Sequence, residues 1–153
     1  MKKAIVVYAS KYGNTKRVAE GIADGMRSVP GIEVILSEID SADVKQLAAF
    51  DAVLVGSPNH MGKPLSSIKE FIKGLGVAEL EGKQVAVFDT YTGANLQKAA
   101  KKMEEQIRQE AQGLNLISPG LSIRVDSTKG PISDGDVPKA REFGSRIAAL
   151  ITG

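Results

Sequence analysis

Apolar runs and helix-spaced apolar positions alternate along this chain from end to end. Five short runs rich in Val and Ile predict strands: Ala4 to Tyr8, Glu33 to Leu36, Ala52 to Gly56, Gln84 to Phe88 and Leu121 to Val125. Three of them are almost continuously apolar, the pattern of strands covered on both faces. Between them the period becomes helical. Val18, Ile22 and Met26 share one face, and Leu65, Ile68, Phe71 and Ile72 share another. The longest stripe is Leu96, Ala99, Ala100, Met103, Ile107 and Ala111, with Gly113 as its stop. Ala140, Phe143, Ile147, Ala148 and Ile151 predict a last helix, with Asp136 as N-cap and Pro138 in the first turn. A short further helix is expected around Asp43 to Phe50.

Five strand-then-helix units predict an α/β fold, a doubly wound parallel sheet of five strands with helices on both faces. The 153 residues suit one domain, 1–153. Such sheets bind ligands beyond the carboxyl ends of their strands, where the winding direction switches. Three loops therefore matter most: Ala9 to Thr15, Ser57 to Pro64 and Asp89 to Asn95.

Composition narrows the chemistry. Hydrophobic content is 42% and charged content 25%, ordinary for a globular protein. The chain has no cysteine, which excludes disulfides, thiolate ligands and cysteine nucleophiles. Its single histidine, His60, excludes any site built on two imidazoles. Net charge is +2, with acids and bases interspersed, so no nucleic-acid partner is expected. The start, Met1-Lys2-Lys3 followed by Ala4 to Ala9, is too short in its apolar part for a signal peptide. No apolar run is long enough for membrane insertion. A cytoplasmic monomer is the expectation.

The first loop carries Ser10, Lys11, Tyr12, Gly13, Asn14 and Thr15 between a strand and a helix. Ser10, Asn14 and Thr15 supply side-chain donors, and Gly13 allows a turn and close backbone approach. Free N–H groups and the helix dipole favour an anion there, with Lys11, Lys16 and Arg17 nearby. A plainer reading is a turn capped by Asn14 or Thr15. Neither the dinucleotide fingerprint G-x-G-x-x-G nor the P-loop pattern occurs at a strand–helix junction. The second loop holds Ser57, Pro58, Asn59, His60, Met61, Gly62, Lys63 and Pro64, stiffened by two prolines and given one permissive peptide by Gly62. Met61 could equally pack beneath the loop as core, and His60 could be an exposed or capping imidazole. The third loop brings Asp89, Thr90, Tyr91, Thr92 and Gly93. Together the three loops suit a flat, apolar, phosphorylated ligand gripped at both ends.

At these loops the sequence resembles the flavodoxin family. The family's phosphate loop, [ST]-x-[ST]-G-x-T, is matched by Ser10, Gly13 and Thr15, with Tyr12 in place of the usual small hydroxyl residue. Met61-Gly62 is similar to the Met-Gly pair that some flavodoxins set beside the flavin ring, and Tyr91 to the aromatic residue stacked on its other face. The resemblance covers the whole chain. It implies the flavodoxin-like strand order 2-1-3-4-5 and the short-chain branch. The tail Gly130-Pro131-Ile132 to Asp136 also resembles the flavodoxin-like domains of larger flavoproteins.

The resemblance implies non-covalent FMN, with cofactor contacts from Ser10 to Thr15, from Ser57 to Gly62 and from Asp89 to Gly93. It implies an electron carrier that serves redox partner proteins through semiquinone and hydroquinone states, without a substrate of its own. An FMN-dependent quinone or protein oxidoreductase is the alternative on the same fold. Basic residues in the first two loops predict a less strongly reducing carrier than an acidic flavodoxin. A phosphoacceptor domain would need acids where this chain has Ala9-Ser10 and Ser57-Pro58. A serine hydrolase would need a G-x-S-x-G elbow, and there is none.

Overall fold

The computed structural model describes residues 1–78, 80–127, 129–132 and 134–153. One parallel sheet is built from β1 (Lys2–Tyr8), β2 (Ile32–Glu38), β3 (Ala52–Pro58), β4 (Gln84–Tyr91), β5 (Asn115–Leu116) and β6 (Leu121–Arg124). Its path runs β2-β1-β3-β4-β5, with β6 also paired to β4. The expected order is therefore present, but its fifth position holds two short strands rather than one. Pro119, between them, has no N–H for a ladder. Gly120 then passes so close to β4 that a Cβ would lie 2.6 Å from the Val87 carbonyl oxygen. The Gly120 N–H goes instead to the carboxylate of buried Glu104, 3.1 Å away.

Among the described residues, four α-helices cover the sheet: α1 (Asn14–Arg27), α2 (Ser66–Val77), α3 (Lys98–Glu110) and α4 (Val137–Thr152). Strand alternation divides the apolar side chains between two cores. Ala4, Val6 and Tyr8 of β1 face Ile22, Met26, Phe143 and Ile147 of α1 and α4. Ile5, Val7 and Ala9 face Ile68, Ile72, Met103 and Ile107 of α2 and α3. β1, β3 and β4 are buried on both faces over most of their length, which explains their continuous apolar runs. The crossing of α1 and α4 is very close. A Cβ on Gly25 would lie 2.0 Å from the Arg141 carbonyl oxygen, and one on Gly144 would lie 2.0 Å from that of Ile22.

Several boundaries differ from expectation. Leu65 stands just before α2, and Leu96 and Ala111 fall outside α3. The segment expected as a short helix is a 3-10 helix, Val44–Ala49, capped by the Asp43 carboxylate on the Lys45 N–H. Asp136 does occupy the N-cap position of α4, but its side chain makes no capping bond. The carboxylate is drawn to Lys139 Nζ at 2.7 Å instead, which raises the pKa of that ammonium. Ser133, within the tail that leads to α4, lies outside the described residues. No helix among the described residues is long and apolar enough to cross a membrane.

Candidate functional site

The first, third and fourth strands end side by side, with Tyr8 paired to Gly56 and Pro58 to Thr90. The chain winds outward in opposite directions from β1 and β3, so a crevice opens between their following loops. It holds a cavity of about 240 Å³.

In the first loop, neither Asn14 nor Thr15 caps α1. The N-cap is Gly13, at φ 88°, with no side-chain cap of its own. A Cβ would be costly at that angle, which explains glycine there. Ser10 reaches forward instead, its hydroxyl oxygen accepting from the Gly13 N–H at 3.0 Å and, weakly, from the Lys16 N–H at 3.4 Å. Because α1 begins at Asn14, the N–H groups of Asn14 and Thr15 have no acceptor within the helix. The Asn14 side chain lies against Gly130 of the tail. Thr15 is 1% exposed, and its hydroxyl meets that of Thr90 at 3.0 Å. Only one hydrogen is consumed between two hydroxyls, so the pair keeps a donor to offer the cavity.

The second loop is pinned at its base and free at its tip. Buried Ser57 donates to the Pro58 carbonyl and accepts from the Leu65 N–H, both at 2.9 Å, tying the loop's two ends together. Asn59 gives its backbone N–H and its Nδ2 to the Thr90 carbonyl, and its Oδ1 accepts from the Ala99 N–H. One side chain thus joins the second loop, β4 and α3. Beyond it, His60 and Lys63 exchange backbone hydrogen bonds of 2.8 and 3.1 Å around Met61 at φ 54° and Gly62 at φ 77°. Positive φ at both central residues makes this a type I′ turn, in which glycine is easy and methionine strained. Met61 is 86% exposed, so it is not a core residue beneath the loop.

The third loop supplies Thr90, Tyr91 and Thr92 to the cavity wall. Asp89 points the other way. It is fully buried, and its carboxylate accepts from the Ala100 N–H at 2.9 Å and from the Ser122 hydroxyl. Ser122 in turn accepts from the Gln97 N–H. Burial pushes the Asp89 carboxyl above its ordinary pKa, against the opposing pull of its bonds from Ser122, Ala100 and Asn59. Asp89 and Asn59 therefore close the N-terminus of α3 with the chain's own acceptors. The N-terminus of α1, at the same edge, faces the cavity.

Most of the predicted residues come together here. Ser10, Lys11, Tyr12, Asn14 and Thr15 line the cavity with Pro58, Asn59, His60, Met61, Thr90, Tyr91 and Thr92. Ser57 and Asp89 lie behind the wall as braces, while Gly13, Gly62 and Gly93 shape the turns at positive φ. Asn95 and Val125 also line the cavity and were not singled out. Asn95 ends the third loop and could have been included. Val125 follows β6, a strand outside the three-loop argument.

The donor set fits the cofactor implied by the resemblance. An uncapped helix start, two hydroxyls and Lys11 suit a phosphate, and among the described residues no carboxylate lines the wall to repel one. Tyr91 and the exposed Met61 suit the faces of a flat ring. No group of three or more acidic or imidazole side chains among the described residues could hold a metal ion.

Comparison with known proteins agrees with this geometry. Residues 5–124 match a family model described as the flavodoxin domain. The flavodoxin of Aquifex aeolicus is 36% identical over 96 residues, which are 61% of this chain and 52% of that one. An NAD(P)H dehydrogenase (quinone) of Geobacter sulfurreducens is 30% identical over 112 residues, 55% of each chain. The chain thus spans about half the length of these two relatives. The solved structure of a flavodoxin from the domain Archaea superposes with a TM-score of 0.84 at 28% identity, over 99% of both chains.

Proposed function

The chain belongs to the flavodoxin family, and from that premise we propose that residues 1–153 form one FMN-binding domain that carries electrons between redox partner proteins. The observation that carries the reading is the contrast between two helix starts at one sheet edge. Asp89 and Asn59 occupy that of α3, while that of α1 is presented to the cavity beside Thr15, Thr90 and Lys11.

Bound FMN would supply the redox chemistry, which no side chain of this chain offers at useful potentials. The chain's own residues bind and tune. Ser10, Thr15 and the N–H groups opening α1 hold the phosphate, and Lys11 adds charge. Tyr91 and Met61 would flank the ring and keep water from its faces. A backbone carbonyl of the Met61-Gly62 turn would accept a hydrogen bond from a protonated ring nitrogen. Lys11 and Lys63 raise the potential for the second electron by favouring added negative charge.

A second reading is a flavin-dependent quinone reductase. It is favoured by the likeness to the Geobacter sulfurreducens relative and by a second concavity that shares Lys11, His60 and Met61 with the first. The test is the visible spectrum of the purified protein, with chromatography of what it releases on denaturation. Flavin bands and free FMN are expected. A colourless protein that takes up no FMN overturns the proposal. Oxidation of NADH with a quinone and no added reductase decides for the second reading.

A further inference from the structure

Charge around the mouth of the cavity is one-sided. Lys11 lines the cavity itself. Lys63 and Lys69 line the adjoining concavity of about 500 Å³. The Lys98 side chain reaches the tip of the second loop, where a Cβ on Gly62 would lie 3.3 Å from Lys98 Cδ. Lys129 Nζ stands 5.9 Å from the centre of the Tyr12 ring. None of these five lysines is in an ion pair among the described residues. The acids of this edge do not enter the site: among the described residues none lines either concavity, Glu38 ends the edge strand β2 and Asp40 follows it, Asp89 is buried and bonded inward, and Asp136 is held by Lys139. The loops of this edge also carry large exposed apolar side chains: Met61 at 86%, Leu96 at 57% and Tyr12 at 48%.

We propose that this face docks an acidic redox protein. The proposal rests on the electron-carrier reading and adds the partner's chemistry. An exposed apolar centre inside a charged rim is the anatomy of a protein interface. The lysines come from the first loop, the second loop, α2, α3 and the tail. Lys11, Lys63 and Lys69 share one concavity, while Lys98 stands at the second-loop tip and Lys129 beside Tyr12, a spread that suits an extended carboxylate-bearing surface better than a small anion. Charges so placed act mainly on encounter and orientation, drawing an acidic partner in and turning a basic one away.

The probes are cytochrome c, a basic haem protein, and the same protein with its lysines succinylated, which makes it acidic. Each is titrated into the FMN-supplemented, isotopically labelled protein while amide NMR shifts are followed. The succinylated form should shift the amides of Lys11, Met61, Lys63 and Lys98. Its Kd should rise by about tenfold or more between about 20 mM and about 200 mM salt. The double variant Lys63→Glu/Lys98→Glu should weaken it by about tenfold. Lys2→Glu/Lys45→Glu, an equal charge change at the other edge of the sheet, should weaken it by less than about twofold. Equal or tighter binding of unmodified cytochrome c, or equal loss in both double variants, overturns the proposal. So does a set of shifts produced by inorganic phosphate or a short DNA duplex but not by the acidic probe. FMN uptake is titrated separately in each variant. Its absence overturns the electron-carrier reading, whereas uptake without preference for the acidic probe overturns the docking proposal alone.

Discussion

Replacing Thr15 with Ala tests the phosphate-binding assignment at one atom. Thr15 and Thr90 share a hydrogen bond of 3.0 Å, and Thr15 is almost wholly enclosed. One hydrogen of this pair stays free for a ligand. A bond from it to a charged phosphate oxygen is worth roughly 1.5–3 kcal/mol, about 10- to 150-fold in Kd. In Thr15→Ala the Thr90 hydroxyl is released and sits close enough to serve in part, so the loss should fall near the lower bound. Removing both hydroxyls leaves no substitute, and Thr15→Ala/Thr90→Ala should lose more than the two single changes added together. Riboflavin has the ring but lacks the phosphate, so its affinity should change by less than about twofold, or ~0.4 kcal/mol. The assay is quenching of flavin fluorescence on titration of apoprotein, with FMN and riboflavin in parallel. Urea unfolding of each apoprotein checks the fold, for which a loss of about 1 kcal/mol is expected from the broken hydroxyl pair. Equal weakening of FMN and riboflavin would refute the assignment, because the loop would then be sensing the ring or the fold.

Tyr91→Leu should restore part of the flavin emission quenched on binding and shift both one-electron potentials; unchanged emission and potentials would place Tyr91 away from the ring. Gly62→Ala should cost about 1–2 kcal/mol of stability through its positive φ, and Met61→Asn should gain about 0.5–1 kcal/mol because asparagine tolerates that conformation, both read by urea melts; a neutral Gly62→Ala would contradict the type I′ turn. Asp89→Asn tests the buried carboxyl. Its folded pKa is raised, so the native state holds that proton longer than the unfolded chain does, and wild type loses stability as pH climbs from about 4 through the raised value. The stability of Asp89→Asn relative to wild type should therefore rise over that window and level off above it, and a difference that is flat or falls with pH would show that the carboxyl is not held up by burial.

The fold was legible because the buried strands announce themselves by unbroken apolar runs and the helices by their stripes. Neither signal reports a break that consists of a missing donor. The fifth strand is expected at Leu121 to Val125 alone; β5 has only two residues, too short for an apolar run to mark, and Pro119 and Gly120, whose N–H turns to Glu104, part it from β6. The cap of α4 was placed correctly at Asp136, but the bond it makes was not legible. Asp136 is a good capping residue, but Lys139 competes for its carboxylate at 2.7 Å. At the site, residue type and strand order sufficed to gather the three loops. They could not give direction. Asp89 and Thr90 are neighbours on one strand, and the pleat sends the acid inward to α3 and the threonine toward Thr15. The exposure of Met61 follows from turn geometry set by His60 and Lys63, which the Met-Gly pair alone does not encode.

The second loop joins a many-bonded base to an exposed tip, and this bears on speed. An electron moves quickly when few atoms must shift to receive the new charge, since environments fixed beforehand cost little to rearrange. Ser57 and Asn59 lock the base into β4, α2 and α3. The helix start and hydroxyls of the first loop are likewise fixed. The tip itself is a two-residue turn, Met61-Gly62, closed by the His60–Lys63 bonds and exposed at Met61. For the electron-carrier role proposed above, a site braced in this way would leave few atoms to rearrange when charge changes at this edge.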